Sequence, residues 1–315
     1  MVIARNPDSP WAMIFLVFAG AISPVDAIGA ERLHVVTSTT DLASLVQEVG
    51  GDYVDVTRLA RGYQDPHFVP VDARSLLQLN RADLLLVIGL QMENAWLGEG
   101  LQANSLLAQC RNPRIQFGSA GYFDLSPYIQ VLEVPNQITR ALGIHPLGNP
   151  HYWLDPENGR RIARAISTKL GTMRPGIAAY FEQRFRSFDL RLAGKERLWA
   201  EQMKPYRGYK VITYHRAWSS FLDRFGLISV GEIEPLPGVP PNRTHIDELI
   251  QEMKPQKVRA ILVEPCYELS ATRRIAHSTG VKVLVLPASV GGAKQVTDYF
   301  GLFDYDIGLL KQTFK

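Results

Sequence analysis

Cysteine is scarce in this chain of 315 residues, which has only Cys110 and Cys266. Two cysteines so far apart in sequence do not make a disulfide framework, and we expect them not to pair. Net charge is also low. It is +3 for the whole chain and becomes +4 without the first thirty residues, which hold one Arg and two Asp. So small and dispersed a charge argues against a nucleic-acid-binding protein.

Short motifs of common enzymes are missing as well. The sequence has no His-Glu-x-x-His helix, no Gly-x-Ser-x-Gly elbow and no Gly-rich phosphate-binding loop. Internal repeats and low-complexity stalks are also absent. These absences disfavour the corresponding hydrolases and nucleotide-binding enzymes, and they weaken the case for a structural surface protein.

No apolar run reaches the roughly 20 residues that a membrane-spanning helix requires. The first thirty residues instead have the parts of a secretory signal peptide: a positive charge at Arg5, an apolar stretch at 11–22, and small residues at Ala27 and Ala30. No cysteine near these small residues offers a place for a lipid. We therefore expect residues 1–30 to be a cleaved signal peptide and the mature protein to be exported without an anchor.

β-rich and helical segments alternate in both halves of the remaining chain. In the first half the pattern predicts strands at 33–38, 54–60 and 84–88 and helices at 39–50 and 71–80. In the second half it predicts strands at 210–215, 228–234, 259–265 and 281–287 and helices at 217–226, 244–254 and 270–280. Such alternation predicts an α/β fold whose sheets are mostly parallel and flanked by helices.

A long helical pattern separates the two halves. From about residue 176 to 203, apolar residues recur at spacings of three and four, and a helix of this length spans about 40 Å. It either bridges two lobes or covers one domain, and we favour the bridge. We therefore expect an N-terminal α/β lobe at 31–174, a rigid linking helix at 175–204 and a C-terminal α/β lobe at 205–315.

Three of the seven histidines lie where a ligand site is expected. His67 follows the second strand in "DPHFV", His151 lies in the loop "GNPHYWLDP", and His215 ends the strand "VITYH". The carboxyl ends of parallel strands face the crevice where ligands bind, so these side chains can converge with Glu264 at the end of "AILVEP". Three imidazoles and one carboxylate suit tetrahedral zinc. Taken singly, each histidine is more commonly a plain polar loop residue.

The residues beside these histidines have two interpretations each. In "GNPHYWLDP", Asn149-Pro150 predicts a turn and Asp155-Pro156 predicts the start of a helix. Asp65 and Tyr214 are either hydrogen-bond partners of the ligands or a turn residue and a packing aromatic. The indoles of Trp153 and Trp218 either wall the site or belong to the core.

Five segments in this order resemble the signature segments of the metal-binding solute receptors of bacterial ABC importers, the cluster A-I family. They are "DPHFV", "GNPHYWLDP", "VITYHRAWSSFLDRFGL", "EIEPLPGVPP" and "ILVEP". The resemblance covers essentially the whole chain after the signal peptide. It implies two α/β lobes joined by one long rigid helix, with a metal ion buried between them.

By position, the resemblance implies that His67 and His151 are the two ligands of the first lobe. His215 matches the third ligand, where zinc receptors have His and manganese receptors commonly have Glu. The family's usual fourth ligand is an Asp after the last strand, but the segment 283–292, "VLVLPASVGG", has no carboxylate. Glu264 is our first candidate for the fourth position.

Alternatives for the fourth ligand are Glu234 in "EIEP", the thiol of Cys266, and a water molecule. His145 in "GIHPLGNPH" is a further candidate, either as a partner of a ligand or as a residue that captures the ion.

The resulting hypothesis is a binding protein rather than an enzyme. Three imidazoles and at most one carboxylate favour Zn²⁺ over Mn²⁺, which prefers oxygen-rich sites. The resemblance then implies a monomer in the periplasm that captures zinc and delivers it to the membrane permease of an ABC importer. The alternative is a secreted zinc-dependent hydrolase with Glu264 as its base. A third possibility is an adhesin or structural surface protein.

Overall fold

The first of two parallel sheets is formed by the N-terminal half of the chain. The computed structural model describes residues 32–98, 104–135, 146–236 and 238–315, so the predicted signal peptide and His145 lie outside the described residues. The strands are β1 (Leu33–Thr37), β2 (Val54–Arg58), β3 (Leu84–Val87) and β4 (Tyr122–Asp124). Within the described ranges their order is β2-β1-β3-β4, and every pairing is parallel.

The second sheet repeats this topology. Its strands are β5 (Lys210–Thr213), β6 (Ile228–Glu232), β7 (Ala260–Val263) and β8 (Lys282–Val285). In the described part of the chain their order is β6-β5-β7-β8, again with parallel pairing throughout. We call each sheet with its flanking helices a lobe. The prediction of two α/β lobes with mostly parallel sheets is confirmed.

Helices cover these sheets and connect the strands. They are α1 (Thr40–Gly50), α2 (Ala73–Arg81), α3 (Leu106–Gln109), α4 (Pro156–Met173), α5 (Ala178–Met203), α6 (Ser219–Phe225), α7 (Arg243–Met253), α8 (Ser270–Thr279) and α9 (Tyr299–Phe314). Side-chain caps set several starts: the Thr39 hydroxyl accepts from the Leu42 N–H, and the Asp155 carboxylate accepts from the Glu157 N–H. Pro156 then occupies the first turn of α4, as expected from the Asp-Pro pair.

Helix α5 is the long helix that the periodicity predicted. A 3₁₀ turn at Pro175–Ile177 precedes it, and its 26 residues correspond to about 39 Å. One face is buried along its whole length, through Phe181, Phe185, Phe188, Leu192, Trp199 and Met203. The lobe boundaries themselves (31–174, 175–204 and 205–315) stay a prediction.

The C-terminal helix α9 was not predicted from the sequence, and it joins α5 to both lobes. The ring of Phe300 lies 5.3 Å from that of Phe188, and Phe303 lies 5.0 Å from Trp199. The N–H of Tyr299 donates to Ser44 on α1 in the first lobe. A single buried apolar cluster includes residues of both sheets. The lobes therefore share this cluster, besides a smaller one within each lobe, and Arg32–Lys315 forms one compact unit.

Among the described residues, no helix has both the length and the apolar character needed to cross a membrane.

Candidate metal centre

Three imidazoles from the two lobes meet in the interior. His67 lies in the loop after β2, His151 precedes α4, and His215 lies two residues beyond the end of β5. Their ring centroids are 5.0–5.1 Å apart, and one nitrogen of each lies within 4.8 Å of the others. All three residues are buried, at 3–5% exposure. The structure thus brings together three of the four residues that we proposed as ligands.

The closest approach within this cluster joins the two lobes. Nε2 of His151 lies 3.1 Å from Nε2 of His215. In a tetrahedral zinc site, Zn–N bonds of about 2.0–2.1 Å place two ligand nitrogens about 3.3–3.4 Å apart. The observed separation is close to that edge length. The spacing of these nitrogens therefore suits one small ion shared between the lobes.

Carboxylates contact the outer nitrogens of two of the imidazoles. Oδ1 of Asp65 lies 2.7 Å from Nδ1 of His67, and Oε2 of Glu234 lies 2.7 Å from Nδ1 of His215. A carboxylate in this place holds the imidazole proton on Nδ1 and leaves the lone pair of Nε2 for a metal. Of the two interpretations of Asp65, the structure supports the hydrogen-bond partner. The other carboxylate oxygen of Asp65, Oδ2, accepts a hydrogen bond from the Tyr267 hydroxyl at 3.1 Å.

Electrostatics favour the charged forms of Asp65 and His215. Burial raises the pKa of Asp65, but its bonds to His67 and the nearby imidazole charges outweigh burial, so the pKa lies below its ordinary value. Burial lowers the pKa of His215, while the bond to Glu234 and the charge of Glu264 raise it by more, so the net shift is upward. Protons and metal ions therefore compete for the same site.

Glu264 lies next to the cluster rather than within it. The residue follows β7, is 4% exposed, and lines a cavity that His151 and His215 also line. Its Oε1 accepts from Trp218 Nε1 at 2.9 Å, whereas its buried Oε2 has no partner among the described residues. Burial raises the pKa of Glu264 to about 7. A buried carboxylate oxygen without a donor is costly, and a cation would satisfy it.

The cavity itself is small and lies between the lobes. The centre of a water-sized sphere can move within about 20 Å³ of this cavity, which is enough for one water molecule or one ion. Trp153 and Ala288 form part of its wall, and the Trp153 indole donates to the Ala288 carbonyl at 2.8 Å. Trp153 thus forms part of the wall of the site, while Trp218 is linked to the site by its hydrogen bond to Glu264.

The alternatives for a fourth ligand are differently placed. Both oxygens of Glu234 are engaged, because Oε1 accepts from the Gly238 N–H at 2.7 Å while Oε2 bonds to His215. Cys266 is an exposed residue on the cavity wall, and desolvation of its sulfur raises the pKa of the thiol, which disfavours the thiolate that binds metals. Cys110 is buried, and both cysteines are free thiols. Tyr214 stacks on Tyr267 with ring centroids 4.3 Å apart, which is its packing role.

The sequence matches the model of a known family. The model of the family described as "ZnuA: Zinc-uptake complex component A periplasmic" matches residues 35–313. The chain belongs to this family. The resemblance to metal-binding solute receptors of ABC importers is therefore confirmed.

Individual relatives are distant. The high-affinity zinc uptake system protein ZnuA of Brucella abortus (strain 2308) is 29% identical over 136 residues. That match covers 43% of this chain and only 41% of the relative's length. The manganese ABC transporter substrate-binding lipoprotein PsaA of Streptococcus mitis is 20% identical over 304 residues, or 93% of each chain.

Solved structures show the same fold. A crystal structure of ZnuA aligns with a TM-score of 0.73 at 21% identity, covering 90% of this chain and all of that one. The laminin-binding protein of Streptococcus agalactiae, described as bifunctional with adhesin and metal-transporting activity, aligns with a TM-score of 0.72 at 23% identity, covering 89% and 99% of the two chains. At these identities the likeness concerns the fold.

Proposed function

We propose that the protein captures a zinc ion outside the cytoplasmic membrane and delivers it to the permease of an ABC importer. The observation that carries the proposal is the cluster of His67, His151 and His215, which presents three buried nitrogens within 4.8 Å of one another, close enough to share one ion. Carboxylates at the outer nitrogens of two of them keep the inner lone pairs available.

Zinc is preferred over manganese for two reasons. Three imidazoles with at most one carboxylate form a softer site than manganese favours. The family is named for zinc uptake, and so is the Brucella relative. Manganese is the second candidate, since PsaA is a manganese receptor.

We assign the fourth position to Glu264. Its Oε2 is buried and has no partner among the described residues, and the bond from Trp218 to Oε1 holds the carboxylate at the cavity wall. No catalytic step is required of such a receptor. We further propose that residues 1–30 are a signal peptide, that the mature monomer is free in the periplasm without a lipid anchor, and that both lobes contact the permease.

Metal titration of the purified, metal-free protein tests this function. We expect one zinc ion per chain, tighter binding of zinc than of manganese, and a loss of zinc affinity of more than about 100-fold in each of His67→Ala, His151→Ala and His215→Ala. This exceeds the usual cost of removing an outer partner of a ligand. His34→Ala is a matched control, because the imidazole of His34 also contacts a carboxylate, that of Asp55, but on the surface. It should bind zinc normally.

Two outcomes would reject the proposal. The first is the absence of stoichiometric zinc binding, and the second is wild-type affinity in all three histidine variants. An assay for hydrolysis of esters, peptides and phosphate esters with zinc present separates the receptor from a hydrolase, because only a hydrolase turns over substrate.

A further inference from the structure

The side-chain amide of Asn149 bonds to both lobes at once. Its Oδ1 accepts from the backbone N–H of His151 at 2.9 Å. Its Nδ2 donates to the carbonyl of Arg216 at 2.9 Å and lies 3.2 Å from the hydroxyl of Ser219. Arg216 directly follows His215, so one buried amide connects the backbones beside two of the proposed ligands. The sequence pattern indicated only a turn at Asn149.

Glu133 completes this connection. Its Oε2 accepts from Asn149 Nδ2 at 3.0 Å, and its Oε1 accepts from the Ser219 hydroxyl at 2.8 Å. The backbone of Glu133 has φ of 57°, in the left-handed region that residues other than glycine rarely adopt. Such a conformation persists only where surrounding contacts impose it. We call the side chains of Glu133, Asn149 and Ser219 the interlobe clasp.

The backbone around the clasp is closely packed. The N–H of Asn149 donates to the carbonyl of Leu132 at 2.8 Å. At Gly148, with φ of +107°, an added Cβ would lie 2.2 Å from Val131 Cγ1 and 2.9 Å from the Leu132 carbonyl oxygen. The segment at 131–133 is therefore seated directly against Gly148 and Asn149, which limits how far the loop that carries His151 can move.

We propose that Asn149 is a positioning residue for the metal site: through the interlobe clasp it holds His151 and His215 at the spacing of a shared ion before the ion arrives. Ligands that are already in place lose little conformational freedom on binding, so the clasp raises affinity and slows release. It acts through the backbones of the two loops and does not itself bind the ion. The inference rests on the proposed function.

Asn149→Asp is the decisive variant. The carboxylate still accepts from the His151 N–H, but it cannot donate to Arg216 or Ser219, and it places a negative charge beside Glu133. Zinc release into excess chelator, followed by stopped flow, should be faster by about 10- to 100-fold, the usual effect of losing a partner outside the ligand shell. Ser219→Ala should change release in the same direction by less. Ser219→Thr keeps the hydroxyl and should release zinc at nearly the wild-type rate.

Asn112 supplies a matched control. It is also buried, its Nδ2 donates to the carbonyls of Leu79 and Ala82, and its Oδ1 accepts from the Arg114 N–H, all within the first lobe. Asn112→Asp should lower the urea midpoint of the metal-free protein and leave zinc release unchanged. A purely structural role for Asn149 predicts the same pattern for Asn149→Asp.

The clasp is rejected if Asn149→Asp releases zinc at the wild-type rate, or if Asn112→Asp accelerates release equally. If Asn149→Asp does not fold, the comparison of Ser219→Ala with Ser219→Thr decides, since equal release rates in these two reject the clasp. Failure of the proposed function looks different, because zinc then fails to bind wild type or binds the histidine variants normally. Loss of zinc in those variants with normal release in the clasp variants rejects the clasp alone.

Discussion

Oε2 of Glu234 lies 2.7 Å from Nδ1 of His215, the ring nitrogen on the opposite side from the contact with His151. The bond orients the ring and holds its proton on the outer nitrogen.

We expect Glu234→Ala to weaken zinc binding by about 10- to 100-fold, because the His215 ring loses both its orientation and its preferred tautomer. Glu234→Gln should weaken binding less, since its amide oxygen still accepts from Nδ1. Competition with a chelator of known affinity measures both. Asp55→Asn removes the carboxylate that contacts His34 on the surface and serves as the control. Equal affinities in Glu234→Ala and wild type would contradict this role.

Glu264→Gln tests the fourth ligand. The variant keeps an oxygen that can accept from the Trp218 indole but loses the negative charge. Zinc affinity should fall by about tenfold, which is less than in any of the histidine variants, on the scale usual for changes near a metal. Manganese affinity should fall by more, because manganese depends more on oxygen ligands. Unchanged affinity for both metals would show that Glu264 does not bind the ion.

Gly62→Ala should disturb the contact between the lobes. An added Cβ would lie 2.0 Å from the Val290 carbonyl oxygen and 2.5 Å from the backbone of Gly291, and backbone atoms cannot move aside as a flexible side chain does. Overpacking of this kind costs about 1–3 kcal/mol of unfolding free energy. The loop that carries His67 should also shift, and zinc affinity should fall.

Gly194→Ala is the opposite control. Gly194 lies inside α5, and nothing is within 4 Å of the position of an added Cβ. It should stabilise the protein by about 0.5–1 kcal/mol, the helix preference of Ala over Gly, without changing zinc affinity. Urea unfolding of the metal-free variants measures both changes, and a Gly62→Ala protein as stable as wild type would refute the predicted clash.

We expect the buried Asp306 on α9 to make the free energy of unfolding depend on pH. It is fully buried, neither carboxylate oxygen has a partner among the described residues, and burial raises the pKa well above its ordinary value. The folded protein therefore binds this proton more tightly than the unfolded chain, so the contribution of Asp306 to stability falls as pH rises above the ordinary Asp pKa. Asp306→Asn removes this titration.

Between the two pKa values of Asp306, the stability of Asp306→Asn relative to wild type should increase by about 1.4 kcal/mol per pH unit. Other titrating groups cancel in the difference. Urea unfolding of both proteins from pH 4 to 8 measures it, and a difference that does not vary with pH would show that the folded state does not hold this proton.

Much of the fold follows from local patterns. Alternation of strands and helices predicted the parallel sheets. Each type of segment has its own apolar period, and each buries its apolar face in a layered arrangement. The caps at Thr39 and Asp155 could be predicted because a single local side chain accepts from a free N–H group at the start of the helix.

Other elements carried no such pattern. Strand β4 has three residues, Tyr122–Asp124, which is too short to show a period of two. In helix α9 the buried residues recur at spacings of three and four, but the apolar residues Tyr305 and Leu309 lie outside this face and blur the pattern. His215 was expected at a strand end, and it lies two residues beyond β5.

The sequence alone determined the α/β layers, the long helix and the three histidines as candidate ligands, because periodicity, prolines and strand ends are local properties of the chain. Only the tertiary structure decided how those histidines are held. The sequence showed a carboxylate at Glu234 but did not show that it contacts His215. The link from Asn149 through Glu133 and Ser219 joins positions up to 86 residues apart. Such contacts depend on how two lobes pack around one shared cluster, and no local pattern records that packing.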